Sequence, residues 1–131
     1  MAGLRLQPRW SIGLWLLVGL LLMSSTWPRT GFASWYSEDD PGVGWLMASG
    51  EPFSSQQLTA AMWLVPFDSC VRVTNLRTHR HVAVRINDRG PHLRFVLRGR
   101  VIDLSRAAVL RLADPDEGLI PVNVTRLTGS C

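Results

Sequence analysis

Apolar and polar residues alternate along much of the chain in short runs. Cys70-Val71-Arg72-Val73-Thr74 and His81-Val82-Ala83-Val84-Arg85-Ile86 change character at nearly every step, and a short polar stretch around Thr78 joins them. A period of two is that of a half-buried strand, so this spacing predicts a hairpin. Thr30 to Ser37 reads as a strand carrying Trp35 and Tyr36, and the polar cluster Glu38-Asp39-Asp40-Pro41-Gly42 after it reads as a turn. Val101-Ile102-Asp103-Leu104 is a further short strand. Ser105 then has the side chain of a helix N-cap, and a helical stretch with Ala107, Ala108 and Leu110 continues to Leu112. Gly118 to Leu127 reads as a closing strand with Val122 and Val124 on one face, and Leu58 to Trp63 reads at most as a turn. Many short strands at close spacing favour a small barrel over a sandwich.

The N-terminus follows a different pattern. Arg5 and Arg9 precede an unbroken apolar run from Ile12 to Met23, which small polar residues Ser24, Ser25 and Thr26 follow. That order is the one found in secretory signals. The run is short for a helix that must cross about 20 residues' worth of hydrocarbon, which favours cleavage. Trp10 and Trp27 bracket it as interfacial anchors would, so an uncleaved anchor stays open. The expected division is therefore 1–26 as signal peptide or membrane anchor and 27–131 as one domain. About 100 residues suit a single core and not two. Export places the domain in the periplasm or cell envelope, and membrane contact is expected only through the N-terminal segment.

Composition narrows the function. The chain is formally +4, but two of its 14 basic residues lie ahead of the apolar run, and the rest are scattered. A clustered electrostatic footprint for nucleic acid is missing. No Gly-rich phosphate loop and no His/Cys cluster with ligand spacing occurs, so neither a nucleotide, a metal nor an organic cofactor is expected. Cys70 and Cys131 are the two cysteines. In an exported protein they are expected to form a disulfide, whereas a nucleophilic or metal-binding role would need neighbours that the sequence does not supply.

Several segments together point to a family. Gly31-Phe32-Ala33-Ser34-Trp35-Tyr36, Ala48-Ser49-Gly50-Glu51, Leu58-Thr59-Ala60-Ala61, Val65-Pro66-Phe67, Val71-Arg72-Val73-Thr74-Asn75-Leu76, Val84-Arg85-Ile86-Asn87-Asp88-Arg89-Gly90-Pro91 and Ile102-Asp103-Leu104-Ser105 come in an order that resembles the rare lipoprotein A family. The resemblance implies a mainly β fold: a small six-stranded double-psi β-barrel with one or two short helices. It also implies endolytic lytic transglycosylase action on peptidoglycan, cleaving the β-1,4 bond between N-acetylmuramic acid and N-acetylglucosamine and leaving 1,6-anhydro ends. The partner is then the glycan strand, and a monomer is expected.

Such cleavage uses the sugar's own C6 hydroxyl as nucleophile, so one carboxyl group can serve first as acid and then as base. Asp88, in Asn87-Asp88-Arg89-Gly90-Pro91 directly after a strand, is the catalytic candidate; the same residues also suit a plain tight turn. Glu51 is the second candidate, either tuning Asp88 beside the groove or standing as a surface turn residue between Gly50 and Pro52. Trp35 and Tyr36 stack on sugars or pack in the core, and Arg89 meets a substrate carboxylate or a structural one. Thr59 and Asn87 fall in the matching blocks as substrate-binding positions.

The chain also departs from the family pattern. Met62 stands where members commonly carry a His expected at the groove, Met47 where they carry Thr, and Ser37 where they carry Gly. A thioether cannot transfer a proton. The alternative to an enzyme is therefore a glycan-binding, expansin-like barrel without turnover. His79 and His81, at the hairpin tip and strand start, are expected on a solvated face.

Overall fold

The computed structural model describes residues 27–131. The expected signal or anchor segment, 1–26, lies outside the described residues. Six strands form a closed barrel: β1 (Arg29–Tyr36), β2 (Thr59–Ala61), β3 (Cys70–Asn75), β4 (His81–Asp88), β5 (Arg100–Ser105) and β6 (Ile120–Arg126). Around the barrel they lie in the order β1-β5-β2-β4-β3-β6. Two neighbour pairs are parallel, β1 with β5 and β2 with β4. The remaining four are antiparallel.

The alternation read from the sequence becomes the inward and outward faces of the barrel. Val71, Val73, Val84, Ile86, Val122 and Val124 fill the core from β3, β4 and β6, and each is fully buried. The hairpin of β3 and β4 pairs Cys70 with Arg85 through Thr74 with His81. His79 and His81 are exposed, as expected. Helix α2 (Arg106–Leu112) starts where anticipated, with the Ser105 hydroxyl accepting from the Ala108 N–H. Its apolar face, Ala108, Val109 and Leu112, closes one end of the core.

One element differs from the sequence expectation. Leu58 to Trp63 is not merely a turn, because Thr59–Ala61 forms β2 and pairs with both β4 and β5. Three small, fully internal residues carry no alternation, so periodicity is blind to such a strand. The second short helix that the resemblance allows for is the one-turn α1 (Leu93–Val96), capped by the His92 ring nitrogen accepting from the Arg94 N–H. Cys70 and Cys131 form the expected disulfide, with their Cα atoms 5.1 Å apart, and it ties the chain's last residue to the start of β3. Gly31 is needed where β1 crosses the turn before β5, because a Cβ there would lie 2.4 Å from the Gly99 carbonyl oxygen.

Candidate active site

Register places the chemistry. Asp88 on β4 pairs with Ala61 on β2, Ala61 pairs with Asp103 on β5, and Asp103 pairs with Ser34 on β1. The four residues make one row across four adjacent strands. Two irregularities in the ladder aim this row. In β4 the register passes from Ala60 with Ile86 to Ala61 with Asp88, which skips Asn87. Strict alternation from the buried Ile86 would turn Asp88 toward the core; the extra residue puts it on the side of Ala61 instead. A similar shift between Phe32 and Ala33 skips Val101 and sets Asp103 beside Ser34.

An open groove of about 540 Å³ lies over this row, and Ser34, Tyr36, Ala61, Asp88, Arg89 and Asp103 are among the residues lining it. The opposite wall is the strap from Asp40 to Met47. Small Ala61 keeps the floor low between the two carboxyl groups. With strands spaced about 4.8 Å apart, the backbones of Asp88 and Asp103 stand about 10 Å from each other, and their side chains share the space between.

The two carboxyl groups are held differently. Asp88 Oδ1 accepts from the Ala48 and Arg89 backbone N–H groups, each at 2.9 Å, while its backbone carbonyl accepts from the Met62 N–H. Asp103 accepts a hydrogen bond from the Ser34 hydroxyl. Its second oxygen faces Gly90, where a Cβ would stand 3.2 Å away, so the turn after β4 packs closely against this carboxyl group. Burial pushes the Asp103 carboxyl above the ordinary carboxylate range, and the charge of Asp88 adds to this; the Ser34 hydrogen bond and the Arg100 charge work against it. Tyr36 is pushed well up by burial first and then by Asp88 and Asp103, so it stays a neutral phenol. Its ring stacks on Phe53 at 4.9 Å and its hydroxyl points at Met47 Sδ, 3.8 Å away.

Of the residues singled out from sequence, Asp88, Trp35, Tyr36 and Arg89 line the groove. Trp35 is also tethered, its indole N–H donating to the Pro115 carbonyl. Arg89 lies over the Phe67 ring at 3.8 Å and donates to the Met62 carbonyl at 3.0 Å. Thr59 and Asn87 are buried and do not line the groove. Glu51 stands behind the groove wall. Arg85 grips both its oxygens, at 2.6 and 2.8 Å, and also reaches Asp68 at 2.9 Å. The Arg85 hydrogen bonds hold the Glu51 carboxyl below its ordinary range. Met62 is fully buried in the core, and what it offers the site is backbone: its N–H to Asp88 and its carbonyl to Arg89.

Asp103 was not singled out from sequence, although a signal existed. It sits between Ile102 and Leu104, both fully buried. A carboxylate flanked by two core residues of a strand must face away from the core, and here that direction is the groove.

The sequence signature of the lytic transglycolase family matches residues 29–124. Among curated relatives, a probable endolytic peptidoglycan transglycosylase RlpA from Nostoc sp. is 47% identical over 94 residues, which cover 72% of this chain and 24% of that protein. An endolytic peptidoglycan transglycosylase RlpA from Yersinia pestis is 50% identical over 84 residues, covering 64% of this chain and 22% of the relative. The chain thus spans about a quarter of the length of the curated relatives it matches. Two solved structures share the fold: the Streptomyces papain inhibitor, with a TM-score of 0.60 and 23% identity over 77% of this chain and 94% of the inhibitor, and an apo-expansin from Clavibacter michiganensis, with a TM-score of 0.60 and 19% identity over 80% and 52%. At those identities they speak for the barrel alone. The expected double-psi β-barrel is the observed one, and the chain belongs to the lytic transglycolase family, the family of the RlpA proteins.

Proposed function

We propose that this domain is an exported endolytic transglycosylase that cleaves the β-1,4 bond between N-acetylmuramic acid and N-acetylglucosamine in peptidoglycan. The observation that carries the reading is the row Asp88–Ala61–Asp103, which sets two carboxyl groups on either side of a low floor under an open groove. The names of the curated relatives support the same chemistry, and peptidoglycan as the substrate would put it in the cell envelope.

In this reading Asp103 is the acid. Burial raises its proton affinity and so favours the neutral acid, and in this reading its proton passes to the glycosidic oxygen as the bond from C1 breaks. The C6 hydroxyl of the same muramyl ring attacks C1 and closes the 1,6-anhydro bridge. Its proton goes to the Asp88 carboxylate, which two backbone N–H groups hold in place. The proton then returns from Asp88 to Asp103 through groove water, and both groups are restored. Water does not enter the product. Tyr36, neutral and set against both carboxyl groups, presents its ring to the sugar. Glu51 acts as a positioning residue: with Arg85 it fixes the segment from which the Ala48 N–H reaches Asp88.

The test is to incubate the protein with purified sacculi and look by mass spectrometry for 1,6-anhydro-muropeptides. They should form with the wild-type chain and be absent with Asp103→Asn or Asp88→Asn. Retention on sacculi with no anhydro product from the wild type would refute turnover and identify a glycan-binding barrel instead.

A further inference from the structure

Of the four tryptophans in the described residues, three are tied down. Trp35 and Trp63 donate their indole N–H groups to the carbonyls of Pro115 and Pro91, and Trp27 lies beneath the Arg29 guanidinium at 4.6 Å. Trp45 is different. It is 93% exposed, and neither its ring nor its indole N–H has a partner among the described residues. An indole left in water forgoes the burial that aromatic side chains normally contribute to a fold.

The backbone carrying that ring is nevertheless fixed. The Trp45 carbonyl accepts from the Phe53 N–H at 3.1 Å, and the next residue, Leu46, bridges to Pro52. Earlier in the strap the Val43 N–H donates to the Asp40 carbonyl, and Asp40 Oδ2 accepts from the Ser37 N–H at 2.6 Å. A hollow of about 190 Å³ opens at the ring, lined by Glu38, Val43, Gly44, Trp45 and Phe53. Val43 and Gly44 also line the carboxyl groove, so the hollow and the groove are the two sides of one strap. Glu38 is oriented there by the Ser55 N–H, which donates to its Oε1 at 2.7 Å. Hydrogen bonds from Ser55 hold the Glu38 carboxyl below its ordinary range, so it presents an acceptor.

A flat, unpartnered ring on a held backbone, beside a charged acceptor, suits a pyranose. The axial hydrogens of the sugar form an apolar face for the indole, and its equatorial hydroxyl and amide groups form a donor edge for a carboxylate. We infer that Trp45 is a saccharide subsite at the rim of the groove, stacking a neutral hexosamine ring of the strand that crosses the two carboxyl groups, with Glu38 accepting from that ring's edge. Glu38, Asp39 and Asp40, at the start of the strap and just before it, make an anionic sugar unwelcome, so the ring that stacks is one without a lactyl carboxylate. The inference rests on the glycan reading of the groove and adds a subsite to it.

The test uses the full chain, the β-1,4-linked hexamer of N-acetylglucosamine and isolated sacculi. Trp45→Ala should weaken hexamer binding about tenfold, equivalent to about 1.4 kcal/mol, and Trp45→Phe should recover most of it. On sacculi the Ala variant should lose turnover chiefly through a higher KM. At 93% exposure neither change should move the thermal midpoint, so the loss reads on binding and not on folding. Equal hexamer affinity in wild type and Trp45→Ala overturns the subsite alone. A wild type that cleaves sacculi but ignores the hexamer also overturns it, while one that neither binds nor cleaves either glycan overturns the subsite and the transglycosylase reading together.

Discussion

Asp103 and Glu51 are carboxylates of one small barrel whose surroundings drive them in opposite directions. Asp103 looks into the groove with a hydroxyl donor, Ser34, and burial raises its proton affinity. Glu51, behind the wall, is forked by Arg85 and its proton affinity falls. A group whose proton is available and which faces open space is suited to proton transfer. One locked in a guanidinium fork is suited to holding two segments together. The comparison teaches that closeness to the groove in sequence is a poor guide to chemistry, since Glu51 sits in the segment that supplies a hydrogen bond to Asp88 yet spends its own charge elsewhere.

The largest expected effect tests the groove side. Asp103→Asn keeps the shape and the Ser34 partner but removes the transferable proton, and should cut anhydro-product formation by about 10²- to 10⁴-fold with binding to sacculi retained. Asp88→Asn should fall in the same range. If Glu51→Gln proves as damaging to turnover as Asp103→Asn, the division between the two regions is wrong. Next in size is Met62→His. The Met62 side chain is fully enclosed by core residues, so an imidazole there would be buried without a partner, at a cost of about 2 kcal/mol in a denaturant melt. A stable Met62→His chain with increased turnover would mean that position 62 reaches the groove.

The fold was legible where burial writes a period into the sequence. β3, β4 and β6 each carry core residues at every second position, and Ser105 announced α2 by its capping chemistry. β2 was not legible, because Thr59, Ala60 and Ala61 are buried one after another. The site divides in the same manner. Asp88 stood out by its turn residues. The row that pairs it with Asp103 depends on which strands become neighbours and on where the ladder skips Asn87 and Val101. Those are properties of strands brought together from distant parts of the chain, and no local pattern carries them. Glu51 was a candidate for the same reason: its partner, Arg85, is 34 residues away.

A smaller effect is expected on the clamp side. Glu51→Gln removes one arm of the Arg85 fork while leaving Asp68 as a partner. Both side chains of the pair are about 30% exposed, which limits its contribution through solvent screening. A loss of about 1 kcal/mol or less in chemical denaturation is expected, with turnover reduced only severalfold. Arg85→Gln should cost more than Glu51→Gln, because it strands Glu51 and Asp68 together. Equal stability of wild type and both variants would show that the fork does not hold the barrel.

The finest distinction lies in how the two carboxylates couple stability to pH. For Asp103 the folded state has the higher proton affinity, so its ionisation disfavours folding. That cost is absent below the ordinary aspartate value, about pH 4; it grows as pH rises through the raised folded value and is complete above it. Asp103→Asn removes the cost, so the variant should melt a little higher than wild type near neutral pH and the difference should vanish in acid. For Glu51 the sign is reversed. Its stabilising contribution is present above the ordinary glutamate value and is lost as pH falls through the lowered folded one. Glu51→Gln should therefore melt lower than wild type near neutral pH and approach it in acid. Thermal melts of the three proteins at matched ionic strength then give two difference curves of opposite sign that both shrink toward low pH. An Asp103→Asn midpoint below wild type near neutrality would mean that the Asp103 carboxylate stabilises the fold, and it would remove the reason for naming Asp103 the acid.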